Sequence, residues 1–169
     1  MRVAVTGSTG RLGRALVEAL EDSPYTGPGG PIPWTRVELD LDDPGDPGTC
    51  LDRDRVEGLV HAAAWTDVDG CARDPATALR RNAHASDVLA RACAARGVHL
   101  VLVSTNEVFD GTRTDGRGYV PDDPPAPANP YGASKLAAEQ AALAVYAAAG
   151  AGDLDIVRTA WLFGPGAPD

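Results

Sequence analysis

Tyr131-Gly132-Ala133-Ser134-Lys135 sets a phenol and an ammonium four residues apart. In a helix, residues i and i+4 share a face, so both groups point to the same side. A cation near a phenol favours the phenolate and is expected to draw its pKa down toward the working pH. Such a group can exchange a proton with a carbonyl or alcohol oxygen. A third group should bond that same oxygen. Ser104-Thr105 follows residues 98–103, the strongest strand signal in the chain, and ligands gather at the carboxyl ends of strands in parallel sheets. Tyr131 and Lys135 are therefore catalytic candidates, with the Ser104-Thr105 pair supplying the third member. Asn129-Pro130 fixes where their helix starts, with a polar N-cap and a proline at the first helical position.

A second signal stands at the start of the chain. Gly7-Ser8-Thr9-Gly10-Arg11-Leu12-Gly13 joins the β-branched run Val3-Ala4-Val5-Thr6 to a helical stripe of Leu12, Leu16 and Leu20. In a dinucleotide-binding turn the first glycine permits the tight bend. The second lets backbone approach the pyrophosphate, and the third lets helix pack on strand. The helix N-terminus then offers N–H groups and its positive dipole end to the phosphates. Next to the second strand the chain reads Trp34-Thr35-Arg36, with no carboxylate to hold a ribose 2′-hydroxyl. Arg36 would accept a 2′-phosphate, so NADPH is the expected cofactor and NADH the alternative.

The elements that position these residues alternate. Strands are expected at residues 3–6, near 32–34, at 37–39, 58–63, 98–103 and 155–158. Helices are expected at residues 11–21, 75–96 and 130–149, the last rich in helix-forming alanine. Residues 22–33 and 42–48 read as loop, the latter because Pro44 and Pro47 break it, so any helix between the strands at 37–39 and 58–63 should be rudimentary. Asn82 falls on the apolar stripe of the 75–96 helix, where an amide needs partners. It either braces the core or supports the site. Strand–helix alternation without repeat or linker predicts one domain, residues 1–169, with a Rossmann-type, doubly wound parallel α/β sheet.

Composition narrows the partners. A net charge of −9 argues against nucleic acid or an anionic membrane, while a phosphorylated small molecule needs only local donors such as Arg11, Arg36, Lys135 and Arg158. Cys50, Cys71 and Cys93 form no paired motif and share no ligand spacing with His61, His84 and His99, so neither disulfides nor a metal site is expected. With no apolar run long enough to span a membrane and no signal-like start, a cytoplasmic location is expected.

The GxxGxxG spacing resembles the extended and atypical short-chain dehydrogenase/reductases. Four blocks sharpen the likeness: His61-Ala62-Ala63-Ala64-Trp65-Thr66-Asp67-Val68-Asp69, Ser104-Thr105-Asn106-Glu107-Val108-Phe109-Asp110-Gly111, Asn129 to Leu136, and Arg158-Thr159-Ala160-Trp161-Leu162-Phe163-Gly164. Together they resemble the dTDP-4-dehydrorhamnose reductase family, whose members reduce the C4 ketone of that sugar nucleotide with NAD(P)H. The resemblance picks Thr105 of the Ser104-Thr105 pair as the third catalytic residue, and implies Tyr131 as proton donor, Lys135 as its partner and Thr105-Asn106 as substrate contacts. Val68, Asp69 and Trp161 would lie near the sugar. It also implies that Asp40-Leu41 sits beside the adenine and that Ala62, Ala63 and Ala64 let the cofactor lie close. Where the family usually has Asp-Tyr, this chain has Asn106-Glu107, which places an acid where an aromatic would face the substrate. A sugar-nucleotide epimerase or dehydratase, or a non-catalytic NADP-binding regulatory subunit, are the alternative readings. A nucleotide sugar is the expected partner, with a homodimer left open. In the resembled family a substantial C-terminal part follows the last strand and closes over the substrate. Residues 165–169 end this chain before such a part, so it is expected to be missing here.

Overall fold

Val3–Thr6 (β1) is buried at all four positions, as befits a strand covered on both faces. In the computed structural model, which describes residues 1–150 and 152–164, it is followed by Arg11–Glu21 (α1), Ile32–Pro33 (β2), Pro47–Asp54 (α2) and Gly58–His61 (β3). Val68–Arg73 (α3) and Pro75–Ala78 (α4) lead into a π-helical segment, Leu79–His84, and then Ala85–Ala94 (α5). His99–Thr105 (β4), a 3-10 turn at Asn106–Val108, Pro130–Ala149 (α6) and Leu154–Thr159 (β5) complete the order.

All strand pairings are parallel, in the order β2-β1-β3-β4-β5. Parallel crossovers are right-handed, so connections that step in opposite directions lay their helices on opposite faces. The step from β1 to β2 therefore puts α1 on one face, while those through α2, α5 and α6 cover the other. The larger core lies under these three: Leu51, Leu89, Leu100, Leu102, Ala138 and Ala142 pack there with Trp34 and Leu39. Trp34 is fully buried and donates through Nε1 to Asp54 at 2.9 Å. Strand order reverses between β1 and β3, and their carboxyl ends open a crevice there.

The elements differ from expectation at several places. Residues 37–39 form a turn instead of a strand. Glu38 accepts from both Thr35 N–H and Thr35 Oγ1, at 2.8 and 2.9 Å, and curls the chain so that Val37 faces solvent and Leu39 the core. Pro47 starts α2 instead of breaking the segment, because Asp46 caps it by accepting from Gly48 N–H at 2.9 Å and proline sits at the first turn. The resulting helix is eight residues long. The single helix expected over 75–96 is α4, the π-helical segment and α5 in series, and α3 precedes it, capped by Asp67. β3 ends at His61, short of residue 63. Residues 165–169, where a C-terminal part is expected to be missing, lie outside the described residues.

Candidate active site

Gly7 bends the chain at φ +65°, and a Cβ there would meet Ala63 Cα at 2.8 Å. A Cβ at Gly13 would strike the Gly7 carbonyl, so α1 can approach β1 only through glycine. Gly10 differs: its missing Cβ would touch only Gly7 O, at 3.2 Å, and otherwise faces open space. It is the N-cap of α1 and brings no side-chain cap, which leaves the first-turn N–H groups without a side-chain partner. These residues, with Ala62 and Ala64 after β3, line a cleft of about 710 Å³. Backbone donors at a helix N-terminus beside a wall of small residues fit a pyrophosphate.

Thr105, Tyr131 and Lys135 line the same cleft. Thr105 is the last residue of β4, and its Oγ1 accepts from Glu107 N–H at 3.2 Å to start the 3-10 turn. Asn129 caps α6 by accepting from Gly132 N–H at 2.8 Å, with Pro130 in the first turn. A Cβ on Gly132 would collide with the Glu107 carbonyl, so the helix start and the turn after β4 touch backbone to backbone. Lys135 is 2% exposed and is the only lysine in the chain. Burial pulls its amine down to about 8, against a smaller upward pull from Glu139. Tyr131 departs from expectation: burial, and then the Glu107 carboxylate, push its phenol above the ordinary value, and the Thr105 hydroxyl only partly offsets them.

A buried polar network braces this arrangement. Asn82, in the π-helical segment, accepts from Trp65 N–H at 2.8 Å and donates to Trp65 O and Ser134 Oγ, both at 3.0 Å. Ser134 Oγ donates in turn to the Tyr131 carbonyl at 2.7 Å. Asn82 thus ties the chain after β3 to the first turn of α6, which joins the core and site-supporting roles. His61 lies 2.8 Å from Thr6 Oγ1 and 3.0 Å from Ser86 Oγ. Burial, reinforced by Lys135, holds its pKa down to about 3, so the ring is neutral.

Of the residues singled out from sequence, Gly7, Gly10, Arg11, Leu12, Gly13, Ala62, Ala64, Val68, Thr105, Glu107, Tyr131, Lys135 and Trp161 line the one cleft. Asn106 lines a second cavity of about 620 Å³, which shares Glu107 and Trp161 with the first. Ala63, Asp69, Arg36, Asp40 and Leu41 do not line the cleft. Ala63 lies beneath Gly7 and donates its N–H to Thr6 Oγ1 at 3.2 Å. Arg36 pairs with Asp40 at 3.2 Å and Asp42 at 3.1 Å on the surface, and Leu41 packs on the core. The strand-end rule, applied to β5, would have found Thr159, which lines the cleft and pairs in register with Thr105. Ser104, also in the cleft, has a buried hydroxyl without a partner among the described residues.

The family described as the RmlD substrate binding domain matches residues 1–169. A dTDP-4-dehydrorhamnose reductase of Streptomyces griseus is 38% identical over 99% of this chain and 52% of its own length. The structure of a dTDP-4-dehydrorhamnose reductase from Bacillus anthracis in complex with NADP superposes with a TM-score of 0.87 at 33% identity, over 99% of this chain and 56% of that one. A UDP-glucose 4-epimerase from Thermus thermophilus, in complex with NAD, gives 0.77 at 28% identity, over 94% of this chain and 54% of that one. The chain spans about half the length of the curated relatives it matches. With the match running from end to end, the chain belongs to the RmlD substrate binding domain family.

Proposed function

We propose that this chain binds NADPH and carries the proton-transfer set for reducing the C4 ketone of a sugar nucleotide, dTDP-4-dehydrorhamnose to dTDP-rhamnose. The observation that carries the reading is that one cleft is lined by both the glycine turn and Thr105, Tyr131 and Lys135. Gly7, Gly10, Arg11, Leu12 and Gly13 would hold the pyrophosphate, and Ala62, Ala63 and Ala64 would leave room for the cofactor. Asp40-Leu41 would flank the adenine, and Arg36 would meet the 2′-phosphate. NADPH, when bound, supplies the hydride for C4. Thr105 Oγ1 and Tyr131 Oη would hold the ketone oxygen. Tyr131, with its pKa raised, carries its proton at neutral pH and can deliver it to that oxygen. The Lys135 ammonium eases the charge left on the phenolate. Val68, Asp69, Asn106, Glu107 and Trp161 would contact the sugar.

Relatives named as reductases of this sugar nucleotide favour the ketoreductase over the epimerase reading. The complete Thr105/Tyr131/Lys135 set speaks against a regulatory subunit without chemistry. The same reading includes a cytoplasmic location and allows a homodimer. The tests are NADPH fluorescence titration of the chain and NADPH oxidation with dTDP-4-dehydrorhamnose in a turnover-competent form of the enzyme. The expected result is NADPH binding by the chain, with consumption in step with dTDP-rhamnose formed in the turnover-competent form. A chain that binds no dinucleotide would overturn it, and sugar conversion with NADPH unspent would favour the epimerase.

A further inference from the structure

Glu139 lies one turn beyond Lys135 on α6, on the same helix face, and is 1% exposed. A buried carboxylate needs a partner, and here it is Arg158 of β5. Nη2 donates to Oε2 at 2.7 Å, and Nε lies 3.0 Å from Oε1 and 3.2 Å from Oε2. The guanidinium is itself fixed. It donates from Nη1 to Pro121 O at 2.9 Å and sits over the Phe109 ring, 5.1 Å from the centroid. Among the described residues, no ion pair within 4.0 Å joins Glu139 to the neighbouring Lys135. The carboxylate is thus committed to the arginine fork, while the lysine reaches the cleft.

We propose that Glu139 is a positioning residue that balances the charge of Lys135 through the buried interior without bonding it, because Arg158 occupies the carboxylate. This rests on Lys135 having the part assigned to it in the reduction, and adds how the chain keeps that amine both charged and free. Full burial of an ammonium costs several kcal/mol and discharges it. A nearby anion opposes that cost, but an anion in direct contact would hold the amine away from the cleft. Arg158 resolves the conflict by taking the carboxylate's lone pairs. The direction agrees with the amine's pKa, in which Glu139 opposes burial. The other titratable or charged groups around Lys135 are His61 from β3, Tyr131 on its own helix, Glu107 from the turn after β4, and Arg11 and Arg14 of α1 in the same cleft. His61 is neutral over the range in which the amine titrates.

Since Lys135 is the sole lysine, [13Cε]lysine labelling of the 169-residue chain reports one side chain, and its titration needs no turnover. Failure of the proposed reduction and failure of this inference are therefore separable. Glu139→Gln should lower the titration midpoint by about one pH unit or more. Arg158→Gln frees the carboxylate to pair with the amine and should raise it. If Glu139→Gln alone leaves too much buried positive charge to fold, Glu139→Gln with Arg158→Gln removes the pair as a neutral unit and should still give a midpoint below wild type. A midpoint at or above wild type in the folded variants lacking Glu139, or one unmoved by Arg158→Gln, would overturn the proposal.

Discussion

Asn129 serves two groups at once: its Oδ1 accepts from Gly132 N–H at 2.8 Å, and its Nδ2 donates to Glu107 Oε2 at 2.7 Å. The residue that begins the helix of Tyr131 and Lys135 therefore also fixes the acid at the mouth of the cleft. The carboxylate is held by a neutral amide and not by a cation, and its charge is the second cause, after burial, of the raised Tyr131 pKa.

That charge should show in the pH profile. Glu107→Gln keeps an acceptor for Asn129 but removes the anion, so the Tyr131 phenol should ionise at lower pH than in wild type, though burial still keeps it high. Lys135, drawn down to about 8, titrates before the phenol and would set the alkaline limb of kcat, so the check is the Tyr131 midpoint followed by [13Cζ]tyrosine NMR. An unmoved midpoint would remove Glu107 from the causes.

Tyr131→Phe should keep the fold and NADPH affinity while lowering turnover by about a hundredfold or more, the scale of losing a general acid. Circular dichroism, NADPH titration and steady-state oxidation in a turnover-competent form of the enzyme separate the three effects. Activity close to wild type would rule out Tyr131 as the proton donor.

Gly10→Val should abolish dinucleotide binding with little loss of stability. The new Cβ finds only Gly7 O, at 3.2 Å, so the branches project into the cleft where backbone must meet pyrophosphate. NADPH fluorescence gives the affinity and a thermal melt the stability. Unchanged affinity would make the turn purely structural.

Arg36→Ala should weaken NADPH more than NADH if the guanidinium exchanges Asp40 and Asp42 for a 2′-phosphate. Its side chain is 68% exposed, so that exchange disturbs no core contact. Equal effects in paired titrations of the two cofactors would leave Arg36 as a surface ion pair.

The helices at both ends of the argument were legible because their punctuation is local. A glycine turn and a leucine stripe mark α1, and Asn129-Pro130 with an alanine-rich run marks α6. The strand-end and i+4 rules marked Ser104-Thr105, Tyr131 and Lys135 as candidates, and the family resemblance picked Thr105 from the pair. Residues 37–39 misled because alternation over three residues cannot distinguish a strand from a turn closed by Glu38 on Thr35. Spacing across Leu79–Cys93 gave no sign of the π-helical segment, since apolar periodicity does not record which carbonyl each N–H reaches. The upward shift of Tyr131 and the Glu139–Arg158 pair were hidden for another reason. Both depend on burial and on partners 19 to 24 residues away, which the local pattern does not encode.

The solitary lysine has a further consequence for how the molecule opens. A lysine-specific endoprotease has one peptide bond to attack, after Lys135, and that bond lies inside the first third of a twenty-residue helix with its side chain buried. Cutting requires that turn of α6 to unwind and leave the sheet. When opening and closing are fast compared with cleavage, the digestion rate reads the open population directly. The amine assigned to the chemistry thus doubles as a built-in clock for local unfolding of its own helix, and any ligand that favours the closed form should slow it in proportion to the occupancy it achieves.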